Sequence, residues 1–174
     1  LCRLATPPER LRLVGNLPYN ISTPLLFRFI AQMHCIRDMH LMLQKEVVER
    51  IVAAPGSKAY GRLSVMVQTW CQAQSLFRIP PGAFQPPPKV ESAFLRLIPH
   101  RSQRYGIADT DCHARLVAQA FSQRRKTLRN SLKGLVEPPQ LEALGIDPGQ
   151  RAEALDVATF ARLANAACKA EPKP

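Results

Sequence analysis

Asn16, Leu17, Pro18 and Tyr19 follow directly on the apolar run Leu11 to Val14. A primary amide, a proline-stiffened backbone and an aromatic ring within four residues are what is needed to hold a flat nucleobase by its exocyclic amine. The N6 amine of adenine is a poor nucleophile because its lone pair is delocalised into the ring. Making it attack an electrophilic methyl group requires pulling the nitrogen toward tetrahedral geometry. The Asn16 side-chain oxygen and the backbone carbonyls of Leu17 and Pro18 can accept its two N–H bonds, with Pro18 presetting φ. Tyr19 offers a stacking face worth about 1–3 kcal/mol. A base within structured nucleic acid must first be flipped out or found unpaired, and a second ring would complete the clamp. Phe84, in the loop Pro80 to Lys89 with its five prolines, is the candidate. No acid or base catalyst is required, so catalysis would be positioning and electrostatic orientation. The same tetrapeptide also serves as an ordinary turn, and Phe84 as a packing residue.

These residues need a scaffold, and the hydrophobic periodicity supplies one. Pro7 to Arg10 reads as a loop and Leu11–Val14 as a short strand. Gly15 lets the backbone turn close to a ligand. Ser22 or Thr23 serves as N-cap of a helix with Pro24 in its first turn and Leu25, Leu26, Phe29, Ile30 and Met33 at helical spacing. The tetrapeptide thus sits in a strand-to-helix turn, where open α/β sheets keep their ligand crevices. Met39–Leu43 is a second strand, Lys45–Val52 a helix ending near Ala54-Pro55-Gly56, and Leu63–Cys71 another helix. Ser75–Ile79 and Val90–Leu97 form an antiparallel hairpin. The order argues for the second half of an α/β sheet. Beyond Pro99 glycine and β-branched residues thin out, and helices follow at Cys112–Ser122, Lys126–Leu132, Gln140–Leu144 and Val157–Cys168. The expected division is residues 1–101, a partial α/β domain, and 102–174, a small helical domain with a frayed tail at Glu171–Pro174.

The 174 residues suffice for a real core, and 46% are hydrophobic against 21% charged. No apolar run approaches the roughly 18–20 residues of a membrane span, and no signal-peptide pattern opens the chain. Lys and Arg number 24 against 13 Asp and Glu, a net charge of +11 that attracts polyanions, nucleic acid first among them. Arg124, Arg125, Lys126, Arg129 and Lys133 form a run with no acidic residue between Cys112 and Val136. On a helix Arg125, Arg129 and Lys133 would share one face and position RNA by its phosphates. Lys58, Arg62 and Lys89 would extend that patch toward the base pocket. The five cysteines are scattered and show no C-x-x-C. They indicate neither a disulfide framework nor a metal site, and a reducing, cytoplasmic compartment fits.

Asn16-Leu-Pro-Tyr-Asn-Ile-Ser22 resembles motif IV of the ribosomal RNA adenine dimethyltransferases of the KsgA type. Met42–Val48, Ala59–Val65, Phe84–Ser92 and Phe121–Leu132 agree with the same family in the same order. The match runs from about Leu13 past Phe160. The resemblance implies a class I, Rossmann-like methyltransferase fold, present here from its fourth strand onward. It implies transfer of two methyl groups from S-adenosylmethionine to N6 of each of two adjacent adenines near the 3′ end of 16S rRNA. The partner would be the small ribosomal subunit, whose biogenesis the enzyme serves. It places Asn16 against both cofactor and target amine, with Leu17 sharing the cofactor contact. Leu17 and Pro18 match the backbone acceptors, Tyr19 the stacking ring and Phe84 the opposing aromatic. No metal and no membrane are expected as partners, and a monomer is expected.

One departure is large. The family binds its cofactor with a glycine-rich turn and an acidic residue ending the next strand, and no G-x-G-x-G occurs in this sequence. The chain is expected to carry the target-base half of the site and the edge of the cofactor half, and to bind S-adenosylmethionine weakly or not at all. Two other readings compete: a related methyltransferase acting on large-subunit rRNA or DNA adenine, and a non-catalytic RNA-binding ribosome-assembly factor that kept the fold.

Overall fold

The computed structural model describes residues 1–4 and 10–168. Pro7 to Glu9 of the predicted loop and the tail Glu171–Pro174 lie outside the described residues. Among the described residues there are four strands and seven α-helices, and the chain divides into two compact units: Leu1–Val52 with Trp70–Ser102, and Ala53–Thr69 with the chain from Gln103 on. The segment 53–69, inside the first sequence-read domain, packs with the helical unit because Tyr60 and Val65 bury in that unit's core.

The first unit holds strands β1 (Leu11–Asn16), β2 (Ile36–Gln44), β3 (Cys71–Ile79) and β4 (Ser92–Pro99), in the spatial order β1-β2-β4-β3. β1 and β2 run parallel, joined through helix α1 (Ser22–Ile30); β4 runs antiparallel to both β2 and β3. Helix α2 (Lys45–Ile51) follows β2 at once. Met39, Leu41, Leu43, Leu95 and Leu97 are buried, as are Leu26, Ile30, Val48 and Ile51 of the helices. Each such side chain stabilises by about 2 kcal/mol. Strand β2 is mostly buried because it is central, whereas β3 at the sheet edge leaves most of its residues exposed. Arg12 of β1 makes a bidentate pair with the buried Asp38 of β2, at 2.6 and 2.9 Å. That guanidinium holds the Asp38 carboxyl down to about 2.

Two local expectations change. Ile21, not Ser22 or Thr23, occupies the N-cap of α1; Ser22 enters the helix and its hydroxyl donates back to the Tyr19 carbonyl at 3.2 Å. Gly15 lies inside β1 opposite Leu41 with no positive φ, and a Cβ there would meet nothing. The strand runs on through Asn16, and the chain leaves it at Leu17.

The second unit packs α3 (Arg62–Trp70, to Thr69), α4 (Thr110–Ala120), α5 (Leu128–Ser131), α6 (Pro138–Ala143) and α7 (Val157–Cys168) around Phe160, Leu116, Leu128, Leu132 and Leu141. Phe121 packs against Phe160 and edge-on against Tyr60. Asp109 caps α4, accepting N–H bonds from Asp111 and Cys112, and Asp156 caps α7 through Thr159.

The cysteines also depart from expectation. Cys2 is bonded to Cys35, and Cys112 to Cys168, the second pair tying α4 to α7. The partners are 33 and 56 residues apart, so spacing could not reveal them.

His113 is fully buried on α4. Thr69 spends its proton on the Val65 carbonyl at 2.7 Å, so the His113 Nε2–H must be the donor to Thr69 Oγ1 at 3.2 Å. Nδ1 then faces a buried space without a partner, and burial lowers the ring's pKa from 6.5 to about 4. Between those two values the unfolded chain takes up a proton that the folded chain refuses, so stability falls as pH falls. Urea denaturation is expected to show a loss on the order of 2 kcal/mol from pH 7 to pH 4.5, and His113→Asn should remove most of that difference.

Candidate functional site

The carboxyl edge of the sheet is where the candidate residues meet. β1, β2 and β3 all end there, and β4, running the other way, begins there: Asn16 pairs with Met42, Gln44 with Ser92, and Ser92 with Ile79. The turn that leaves β1 and the proline loop that joins β3 to β4 therefore emerge side by side.

Asn16 is the last residue of β1 and its side chain is exposed. Leu17 turns inward, 7% exposed, and its N–H donates to the Met42 carbonyl at 3.2 Å. That bond extends the β1–β2 ladder one residue past the strand, which fixes the direction in which Asn16 points. The Pro18 carbonyl accepts the Ile21 N–H at 3.2 Å, closing the turn into α1 and leaving one lone pair for another donor. No bond of that kind engages the Leu17 carbonyl among the described residues.

Tyr19 is half-buried, and its hydroxyl lies 2.6 Å from the hydroxyl of Ser92, which is fully buried. A phenol that is partly enclosed needs a partner for its oxygen. Ser92 supplies one from the first residue of β4, so the ring direction is set by the sheet itself. Phe84 is half-buried where the one-turn 3-10 helix Pro81–Ala83 ends, its N–H bonded to the Pro81 carbonyl. The loop carrying it closes on Glu91 and Ser92: the Glu91 carbonyl accepts the Lys45 N–H at 2.9 Å, and the two side chains form an ion pair. Ser92 therefore fastens Tyr19 to the end of the loop that bears Phe84. Ser92, Lys45 and Glu91 were quoted within sequence motifs but given no role. The need of the Tyr19 hydroxyl for a buried partner was the signal that could have found Ser92.

The cationic run is not a helix face. Residues 121–126 are turns and bends, and α5 covers only Leu128–Ser131, with Lys133 in the turn beyond it. Thr127 is extended and bridges Arg151, while the N–H groups of Leu128 and Arg129 go to the carbonyls of Gln150 and Pro148. Those bonds replace the i to i−4 ladder a longer helix would need. The shared helical face of Arg125, Arg129 and Lys133 is therefore corrected to an irregular cationic segment. Arg124, Arg125, Lys126, Arg129 and Lys133 are all exposed on it, and Gln123 to Lys126 line a recess. Lys58 and Arg62 belong to the same unit, where the Arg124 guanidinium donates to the Lys58 carbonyl at 2.7 Å. Lys89, also exposed, belongs to the sheet unit, in the loop of Phe84.

The family model for ribosomal RNA adenine dimethylase matches residues 3–169. The ribosomal RNA small subunit methyltransferase A of Acidithiobacillus ferrooxidans is 57% identical over 163 residues, covering 94% of this chain and 61% of that protein. Its counterpart in Pseudomonas putida is 54% identical over the same shares. The chain thus spans about three-fifths of the length of the curated relatives it matches. Among solved structures, a dimethyladenosine transferase from Plasmodium falciparum superposes with a TM-score of 0.78 at 28% identity, over 92% of this chain and 67% of that one.

If the Tyr19–Ser92 contact holds the ring, Tyr19→Phe and Ser92→Ala should each cost about 1 kcal/mol in urea denaturation. The double variant should cost no more than the worse single one. Additive losses would show that the two hydroxyls do not act together.

Proposed function

Since the chain belongs to the ribosomal RNA adenine dimethylase family, we propose that it carries the target-adenine half of an N6,N6-dimethyltransferase acting on two adjacent adenines near the 3′ end of 16S rRNA, in the cytoplasm. The observation that carries this reading is the meeting, at one sheet edge, of the Asn16–Tyr19 turn and the Phe84 loop, with Ser92 joining them.

In this reading an unpaired or flipped adenine lies against Tyr19, with Phe84 as the opposing ring. The Asn16 amide oxygen accepts one N6–H and the free Leu17 carbonyl accepts the other. The second lone pair of Pro18 is available as an alternative acceptor. With both protons held in the plane of their acceptors, the nitrogen lone pair is released from the ring and points away from it. S-adenosylmethionine, when bound, supplies the electrophilic methyl group. After transfer the cationic nitrogen loses a proton to water, and one N–H remains for a second round. The residues of this chain therefore bind, orient and polarise the acceptor, and none has to exchange a proton.

For the cofactor itself the chain offers little beyond Asn16 and Leu17. There is no glycine-rich turn in the sequence, and the buried carboxylate of the sheet, Asp38, is already paired with Arg12. The residues present do not fit the adenosyl group as a complete site. Isothermal titration of this chain with S-adenosylmethionine is expected to show no binding in the micromolar range; micromolar affinity would overturn that reading.

The exposed cations of the helical unit support phosphate contact without sequence readout. Arg125→Glu with Arg129→Glu should weaken RNA binding and reduce the slope of log K against log salt by roughly 1.5–2. Unchanged affinity and slope would leave that segment as scaffold. In the whole protein, Asn16→Ala should lower methyl transfer on the order of a hundredfold or more while RNA affinity stays within about twofold. RNA binding without any methyl transfer by the unaltered whole protein would favour the non-catalytic assembly factor instead.

A further inference from the structure

We infer that Cys2, His34 and Cys35 form a site for one thiophilic divalent cation of the zinc type, available when the two sulfurs are thiols and closed when they are joined. Both sulfurs and the His34 imidazole nitrogen lie within 4.8 Å of one another, although they come from segments more than thirty residues apart. His34 Nε2 is 3.1 Å from Cys2 Sγ.

The backbone explains how neighbours in sequence can converge. His34 and Cys35 close a 3-10 turn, Met33–Cys35, that runs straight into β2 at Ile36. Cys35 is drawn inward, 7% exposed, while His34 stays at the surface. Cys2 reaches the same point from the one-turn helix Cys2–Leu4. The result is a site walled on the Cys35 side and open to solvent at His34, which gives a cation a path in.

Donor chemistry sets the class of ion. Two thiolates and a neutral imidazole balance a doubly charged cation and supply three of the four corners of a tetrahedron, with the fourth left for water or a small anion. Sulfur donors exclude magnesium and calcium, which take oxygen. The opening step is thiol–disulfide exchange: a small dithiol gives two electrons and two protons to the Cys2–Cys35 bond and is itself oxidised to a cyclic disulfide. Binding then breaks two S–H bonds, forms two sulfur–metal bonds and releases two protons.

The rest of the chain provides internal controls. The other bonded pair, Cys112–Cys168, also has a histidine next in sequence, but His113 is buried with Nε2 engaged by Thr69. Cys71 is alone and buried, and burial pushes its thiol up to about 12. Among the described residues neither forms a three-donor group.

The test uses this chain, reduced with a dithiol that is then removed under anaerobic conditions, and Co²⁺ as a spectroscopic stand-in for Zn²⁺. One equivalent should bind with a thiolate-to-cobalt charge-transfer band, and added Zn²⁺ should bleach it. Cys35→Ser should abolish the band, His34→Ala should weaken affinity at least tenfold, and Cys112→Ser should leave both unchanged. The oxidised unaltered chain keeps every side chain and should bind no cobalt, which guards against a Cys35→Ser variant that merely misfolds. The inference fails if alkylation shows Cys2 and Cys35 free yet no band appears. It fails equally if the oxidised chain shows the same band, or if the pair stays joined in excess dithiol.

Discussion

One reversed strand decides where everything else can be. β4 is inserted between β2 and β3 and runs against both. In a wholly parallel sheet the connection into β4 would arrive at the opposite edge, and the loop bearing Phe84 would be a strand length away from the Asn16 turn. Because β4 is antiparallel, its first residue lies beside the last residues of β2 and β3. The loop of residues 80–91 that joins β3 to β4 therefore emerges at the edge where the Asn16–Tyr19 turn also lies. The Tyr19–Ser92 contact is the point at which this topology becomes chemistry, since it joins the turn after β1 to the first residue of the reversed strand.

The turn itself hangs on an edge strand. Among the described residues β1 is at the end of the sheet order with β2 as its one neighbour, and its alternate residues are half-buried rather than buried. Three interactions offset that. Parallel pairing runs its whole length, the Arg12–Asp38 pair clamps its start, and the Leu17 N–H to the Met42 carbonyl extends the ladder beyond its end. The bidentate geometry of the clamp matters, because an exposed single-point ion pair would contribute almost nothing. The strand is thus pinned at both ends, and the exposed amide between them is held by backbone rather than by side-chain packing.

What could be read from the residues follows the range over which each signal acts. The strands and longer helices were legible because apolar periodicity is local: Val157–Cys168 was placed residue for residue, and β2 was found within a few residues. The cationic run was misread for the opposite reason. Its helical spacing was a property of the sequence from Arg125 to Lys133, but the N–H groups of Leu128 and Arg129 are taken by carbonyls about twenty residues downstream. The cysteine pairs are non-local in the same sense. Ser92 sits between, since its neighbours gave a strand and only the distant Tyr19 gave it a task.

Clamping a base requires donors and acceptors whose positions do not change when the base arrives, and the two units meet that demand unequally. In the proposed site the acceptor atoms are carbonyls and an amide at a strand end, where neighbouring ladder bonds leave little freedom. The cations of the helical unit stand on turns and on a single helical turn, with long side chains in water. Phosphates can be met by such groups over a range of positions, because the attraction is long-ranged and undirected. An exocyclic amine cannot, because its two N–H bonds must be accepted in fixed directions if the lone pair is to be freed. In the proposed enzyme the division of labour between sheet edge and helical unit then follows from the angular tolerance of the two interactions. Precision is placed where backbone hydrogen bonding supplies rigidity, and charge is placed where the chain is least regular.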